Sequence, residues 1–264
     1  MATDSIVPKL GLGLIGIGRP WGHKYSGMPT EKRVQELLDA ALELGITFWD
    51  TASSYGTSEE RIGNYLRSLP TAKRESVFVS TKFGDQWEPG AKDSYADHSF
   101  EALRRSLDRS LAKLPKIHLL HVHRAKAETL KNDDVLRALE YARKCGITAF
   151  GASVKEKDAA QVAMESGLFT WLQLPYNVSN SSLGPSIDAA KKKGLQIIIN
   201  RPFAEGTVIY DTEGRDRGRQ TRLSALRFVV GKKCGGVVLV GTSSPPHLRE
   251  DAELFKTASQ VLAK

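Results

Sequence analysis

Eight short apolar runs, each bounded by turn residues and each followed by a segment of helical periodicity, recur along the whole chain. The runs are Leu10–Ile15, Thr47–Asp50, Val77–Lys82, Ile117–His123, Ala149–Ser153, Trp171–Pro175, Gln196–Asn200 and Val237–Val240. The 3.6-residue pattern predicts helices over Glu31–Leu44, Glu59–Arg67, Ser99–Leu114, Asp133–Lys144, Glu156–Ser166, Pro185–Lys193, Arg222–Gly231 and His247–Leu254, with a last helix to about Ala263. Thr30 before Glu31, Gly146 after Cys145 and Gly194 after Lys193 supply start and stop signals. Repeated βα units without antiparallel hairpins imply a parallel sheet, and eight such units close a barrel. The expected fold is therefore α/β, a (β/α)8 TIM barrel forming a single domain over residues 1–264. An open doubly wound sheet is the alternative, but it ordinarily has fewer units.

Composition narrows the setting. Cys145 and Cys234 are too few for a disulfide framework and imply a reducing compartment. The opening Met-Ala-Thr-Asp-Ser has neither the basic nor the apolar part of a leader, and no run approaches a membrane span. A cytoplasmic monomer without membrane partners is expected. The net charge of +8 comes from bases interspersed with acids, apart from a local excess at Arg215, Arg217, Arg219 and Arg222. That pattern lacks the basic stripe and reading motif of a nucleic-acid binder, so nucleic acid is not expected as a partner.

In such a barrel the chemistry lies just past the C-terminal ends of the strands. The second run ends in Trp49-Asp50-Thr51-Ala52-Ser53-Ser54-Tyr55-Gly56, which puts a carboxylate at the strand end and a tyrosine on the loop beyond. Lys82 ends the third run and His123 the fourth, where alternation places Phe78, Ser80 and Lys82 on one face and His121 and His123 on another. Each residue alone has a bland reading: a helix cap, a snorkelling lysine, hydrogen-bonded core histidines. The His-x-His pair invites zinc, but no histidine ends strands five to seven, so the ligand set stays incomplete and no metal is expected. Gly11-Leu12-Gly13-Leu14-Ile15-Gly16 matches the dinucleotide fingerprint letter for letter, yet no helix can begin before about Pro29 and the acid Asp50 comes too late.

Taken together, Asp50, Tyr55, Lys82 and His123 form a coherent set, because neighbouring strands are about 4.8 Å apart and their side chains can converge. At about 4 Å and an effective dielectric of 20, a lysine attracts a phenolate by roughly 4 kcal/mol, about three pKa units before desolvation. Asp50 would hold Lys82 charged, and His123 would point a ring N–H at a carbonyl oxygen. Such a group donates a proton to a carbonyl, the half-reaction that accompanies hydride delivery. Two other readings stand beside it: a nucleotide-binding regulatory subunit with little turnover, and a lyase using Lys82 as a Schiff-base amine.

At these residues the chain resembles the aldo-keto reductase superfamily. The pieces that carry the resemblance are Gly45-Ile46-Thr47-Phe48-Trp49-Asp50-Thr51-Ala52 through Tyr55-Gly56, Ser80-Thr81-Lys82, and Leu120-His121-Val122-His123-Arg124. Later pieces are Gly151-Ala152-Ser153, Gln173-Leu174-Pro175-Tyr176-Asn177, Arg201-Pro202-Phe203 and Gly241-Thr242-Ser243-Ser244-Pro245. The resemblance implies the barrel, NADPH bound without a Rossmann domain, a small-molecule carbonyl substrate, and Tyr55 as proton donor within Asp50, Tyr55, Lys82 and His123. It places the nicotinamide carboxamide on Ser153 and Gln173 and the pyrophosphate on Arg201, Pro202 and Gly206. The adenosine end falls to Gly241, Thr242, Ser243, His247 and Asp251, with Arg249 also expected near the 2′-phosphate. A helix starting near Pro245 would offer free N–H groups to a phosphate. Because the sequence stops at Lys264, an open substrate pocket lined by Trp21, Tyr25 and Trp87 is expected.

Overall fold

The computed structural model describes residues 7–22 and 27–260. Eight parallel strands close a barrel: β1 (Lys9–Gly13), β2 (Phe48–Asp50), β3 (Phe78–Phe83), β4 (Leu119–Ala125), β5 (Phe150–Val154), β6 (Trp171–Pro175), β7 (Gln196–Asn200) and β8 (Val237–Gly241). Each strand pairs with its neighbours in sequence, and β8 closes onto β1 with Leu12 opposite Val240 and Gly13 opposite Gly241. The expected (β/α)8 barrel is thus the observed one. Sequence-derived strand boundaries agree within two residues.

Alternation along each strand separates two cores. Outward residues such as Leu12, Trp49, Val79, Leu120, Leu172, Ile197 and Val240 are buried against the surrounding helices. Inward residues Phe48, Leu119, Ile198, Val237 and Leu239 fill the lower barrel together with Phe78 and Trp171. Phe48 stacks on Phe78 with ring centroids 5.1 Å apart, and both lie against Trp171. Large apolar rings plug the N-terminal half, so the inward positions one pleat higher, Asp50, Ser80, His121 and Gln173, form a polar layer above a dry floor.

The helices follow from capping and from amphipathic stripes. Thr30 caps Glu31–Glu43 by accepting from the Arg33 N–H at 3.3 Å, and Asn132 caps Asp133–Lys144 by accepting from the Asp134 N–H at 2.8 Å. The helix over Ser58–Ser68 begins one residue before the expected Glu59, and the Ser58 hydroxyl donates to the Leu14 carbonyl at 2.8 Å, tying the helix to the end of β1. The two last predicted helices are one continuous element, Pro245–Ser259, and Ala263 lies outside the described residues. Elements that escaped the periodicity include the short helices Thr71–Ser76 and Ala127–Leu130, the 3-10 turns Ile15–Ile17 and Ala204–Gly206, and an antiparallel ribbon of Asp85–Gln86 with Tyr95–Ala96. The ribbon overturns the expectation of no antiparallel pairing. Two-residue strands are too short for alternation to register. Among the described residues no helix is long and apolar enough to cross a membrane.

Gly63, inside the Ser58–Ser68 helix, is where that helix meets Phe100–Lys113. A Cβ there would sit 2.0 Å from the Lys113 carbonyl oxygen, which is backbone and cannot swing away. Gly63→Ala is expected to push the two helices apart and lower stability by about 1–3 kcal/mol, the usual cost of overpacking. Urea unfolding followed by circular dichroism measures this, and a stability gain from the added helix propensity would contradict it.

Candidate active site

The polar layer culminates in a buried ion pair. The Lys82 ammonium, 1% exposed, donates to Asp50 Oδ2 at 2.5 Å and to the Thr51 carbonyl at 2.7 Å. Asp50 Oδ1 accepts from Ser80 Oγ at 3.1 Å and from Gln173 Nε2 at 3.2 Å. Both charges are therefore hydrogen-bonded as well as paired, which a buried ion pair requires to persist. Register explains the convergence: Asp50 pairs with Ser80, Lys82 with His121, and Ser153 with Gln173, so all face the barrel axis.

Tyr55 sits above this pair, with Lys82 Nζ 5.0 Å from its ring centroid. Burial raises the phenol above its ordinary pKa; the nearby Lys82 charge pulls it down, while Asp50 pushes it up again. The sequence argument counted only the lysine, whereas burial decides the direction, so Tyr55 is held as a neutral phenol. Burial also opposes the Lys82 charge, but Asp50 and Tyr55 more than offset it, and the ammonium is held above its ordinary value. His123 meets Tyr55 edge-on, with centroids 5.8 Å apart and planes at 75°. Burial, then the Lys82 charge, keeps its imidazole well below the usual range and hence neutral. Beneath it His121 is fully buried and neutral, and neither of its ring nitrogens has a partner, contrary to the expectation of a hydrogen-bonded core histidine. Among the described residues no cluster of three or more metal-ligating side chains occurs.

A cleft of about 820 Å³ opens over these groups at the C-terminal end of the strands. Asp50, Tyr55, Lys82 and His123 line it, as do Trp21, Ser153, Arg201, Pro202, Gly206, Gly241, Thr242, Ser243, His247 and Asp251. Three expectations need correction. Gln173 lies beneath the wall rather than on it, because its amide nitrogen is drawn to Asp50; its Oε1 is buried without a partner. Trp87 packs on Arg19 and beside Gly56 instead of facing the cleft, with its indole N–H donated to the Ala91 carbonyl at 2.9 Å. Arg249 points away from the adenosine end, held by Glu43 at 2.6 Å. Tyr25 lies outside the described residues.

Sequence reasoning missed several cleft residues. Arg222 is buried and lines the cleft near His247, bonded to both oxygens of Asp216 at 2.9 and 2.7 Å. It lines the cleft where Arg249 does not, and in the sequence only its clustering with neighbouring arginines set it apart. Asp85 accepts from Arg124 at 3.1 Å and lies 3.8 Å from His123 Nδ1. Asn200 at the end of β7 presents a buried Oδ1 without a partner. Arg19, on the loop after β1, also borders the cleft.

The comparisons with known proteins agree with this geometry. The family described as Aldo/keto reductase matches residues 9–215. The chain is 26% identical to the NADP(+) aldo-keto reductase yakc of Schizosaccharomyces pombe, over 77% of this chain and 60% of that protein. It is 30% identical to the L-glyceraldehyde 3-phosphate reductase of Escherichia coli K12, over 76% of this chain and 59% of the reductase. In these matches the chain spans about three fifths of the relatives' length. A solved Pseudomonas aeruginosa structure described as an aldo-keto reductase superposes with a TM-score of 0.78 at 27% identity, covering 96% of this chain and 90% of that one.

Asp251 offers a test at the far end of the cleft. Burial pushes its carboxyl up to about 7, with Arg222 only partly opposing. A carboxyl whose folded pKa is raised holds its proton in the folded state longer than in the unfolded one, so its contribution favours folding at acid pH and is lost as pH climbs toward 7. Asp251→Asn removes this dependence. The unfolded carboxyl ionises at about 4, so the variant is expected to match wild type below about pH 4 and to exceed it increasingly in stability toward pH 8, measured by urea unfolding without cofactor. A variant less stable at pH 8 than at pH 5, relative to wild type, would show that Asp251 is ionised and paired instead.

Proposed function

Because the chain belongs to the aldo/keto reductase family, we propose that it reduces aldehydes or ketones to alcohols with NADPH, Tyr55 supplying the proton. The observation that carries this reading is a buried, neutral phenol set over a charged lysine that Asp50 neutralises, with a neutral histidine alongside. A carbonyl oxygen placed between Tyr55 and His123 would meet one O–H donor and one N–H donor, which is what an oxygen gaining negative charge requires. As the phenol gives up its proton, the Lys82 ammonium stabilises the phenolate that remains. The charge therefore favours the proton-transfer transition state, where the phenolate develops, more than the resting acid.

The cleft's own groups fit a nicotinamide dinucleotide. The unpartnered Asn200 Oδ1 is an acceptor on the cleft wall that Ser153 also lines, suited to a carboxamide, while the Gln173 Oε1 lies buried beneath. Gly13 and Gly241 pair at the strand ends on the cleft wall, where the missing side chains leave room for a flat ring. Arg201 and Lys155 bring positive charge where a pyrophosphate would lie, and Arg222, Ser243 and His247 surround the other end. Bound there, the nicotinamide supplies the hydride. The lyase reading loses support because Lys82 is held charged, and a Schiff-base amine must be neutral to attack. The regulatory reading loses support because all four groups are assembled. The relatives' names agree in class, a reductase with NADP(+) in one case and a phosphorylated aldehyde in the other.

Tyr55→Phe keeps the ring and removes the acid. Turnover of an aldehyde, followed by loss of NADPH absorbance, should fall by about 10²–10⁴, with NADPH binding retained. Lys82→Met should cost as much, and the double variant should be far from additive, since both act on one proton transfer. Retention of more than about a tenth of wild-type turnover by Tyr55→Phe, below the low end of a positioned acid's contribution, would remove the role assigned to it.

The adenosine end sets cofactor choice. A 2′-phosphate near Arg222, Ser243 and His247 can form charge-assisted hydrogen bonds, so NADPH is expected to bind more tightly than NADH. Fluorescence titration of both compares them directly, and equal or tighter NADH binding would refute the preference.

A further inference from the structure

One charged side chain in the cleft has no role in the chemistry above. Arg19 follows the turn Ile15–Ile17 and is only 7% exposed. Its Nε and Nη1 are buried without a partner. Its guanidinium carbon lies 5.9 Å from the Tyr55 ring centroid, 5.7 Å from Trp21 and 5.5 Å from Trp87. Rings of this kind attract the cation but cannot accept its in-plane N–H bonds. Asp85, a nearby carboxylate, has committed Oδ1 to Arg124. A desolvated guanidinium with idle donors is costly to maintain, and such a group in a cleft wall is a ready receptor for an anion.

The anion is not the cofactor's. Tyr55, Trp87 and Asp85 near Arg19 come from the loops after β2 and β3, whereas the groups suited to the dinucleotide, Gly13 apart, come from β5 to β8; Trp21 is shared, its ring 5.7 Å from the Arg201 guanidinium as well. We propose that Arg19 binds an anionic group, carboxylate or phosphate, carried by the carbonyl substrate itself; this rests on the reductase reading. A guanidinium N–H pairs with either oxyanion through a charge-assisted hydrogen bond. The aromatic walls exclude water and strengthen the pairing. Arg19 and Tyr55 share one edge of the cleft, so a single small molecule can place its anion on the first and its carbonyl on the second. The substrate class is then an oxo-acid, semialdehyde or phosphorylated aldehyde rather than a neutral one.

Two measurements test this. Trp21 and Trp87 flank Arg19, so intrinsic fluorescence is titrated with benzoate and with inorganic phosphate at constant ionic strength, without cofactor. Wild type should show a saturable change that Arg19→Met weakens at least about tenfold, within the range for a charge-assisted hydrogen bond, and that Arg19→Lys partly restores. NADPH oxidation is then followed with succinate semialdehyde against butanal, and with glycolaldehyde phosphate against glycolaldehyde. The anionic member should lead in kcat/KM by about tenfold or more, mainly through KM, and Arg19→Met should collapse that ratio. The leading pair identifies the anion as carboxylate or phosphate. Ratios equal in wild type and Arg19→Met for both pairs, with no saturable titration in wild type, overturn the proposal while leaving the reductase reading intact. If no aldehyde is reduced, the reductase reading fails, and the fluorescence titration alone decides whether Arg19 is an anion site.

Discussion

The Lys82–Asp50 pair is the interaction on which the site depends. Removing one partner of a buried pair leaves an uncompensated charge, commonly at a cost of about 3–5 kcal/mol, so the barrel must commit neighbours to keep it. It does so from three strands: Asp50 from β2 with the Thr51 carbonyl just past it, Ser80 and Lys82 from β3, and Gln173 from β6. The same neutralisation explains the state of Tyr55. A lone lysine would favour the phenolate strongly, but Asp50 opposes it at nearly the same place, and what remains is weaker than the cost of burying an anionic oxygen. The resting phenol therefore keeps its proton, as the proposed donor role requires.

Much of this was legible in the sequence because barrel geometry turns period-two alternation into direction. Once Phe78, Ser80 and Lys82 share a face, the floor, the polar layer and the charged rim follow in order. Strand ends supplied Asp50, Lys82 and His123 for the same reason. What stayed hidden depends on tertiary placement. Arg249 and Arg222 lie on different helices, and only packing shows that Glu43 takes the first while the second turns into the cleft. Gln173 sits on an inward position as expected, yet its amide is claimed by Asp50. The direction of the Tyr55 shift was hidden too, since desolvation is a property of the closed cleft and no residue type announces it.

Loop placement is the least legible level, and here it carries the most consequence. Gly18 lies so close to the Tyr55 loop that a Cβ would come 1.8 Å from the Tyr55 carbonyl oxygen. Gly56, at a positive φ of 59°, meets the Gly18 carbonyl in return, where a Cβ would approach to 2.1 Å. The Thr57 N–H donates to that same carbonyl at 3.1 Å, and Arg61 donates to the Ile17 carbonyl at 2.6 Å. Two glycines thus allow backbone to lie on backbone, and the hydrogen bonds fasten the contact. In the sequence nothing shows that Gly18 and Gly56, 38 positions apart, would meet.

The consequence is that the loops after β1 and β2 act as one body. Arg19 follows Gly18 directly, and Tyr55 precedes Gly56 directly, so the glycine contact fixes the guanidinium relative to the phenol. Rigid elements hold functional groups more accurately than free loops do, and here two loops reach that rigidity by locking to each other. A group bound at Arg19 is then positioned against the Tyr55 phenol, the proposed proton donor, without any further closure, and the ordering cost is met during folding rather than during binding. Recognition and proton transfer share a single mechanical reference, so a change that loosens the Gly18–Gly56 contact disturbs both together, whereas a change at the guanidinium disturbs recognition first.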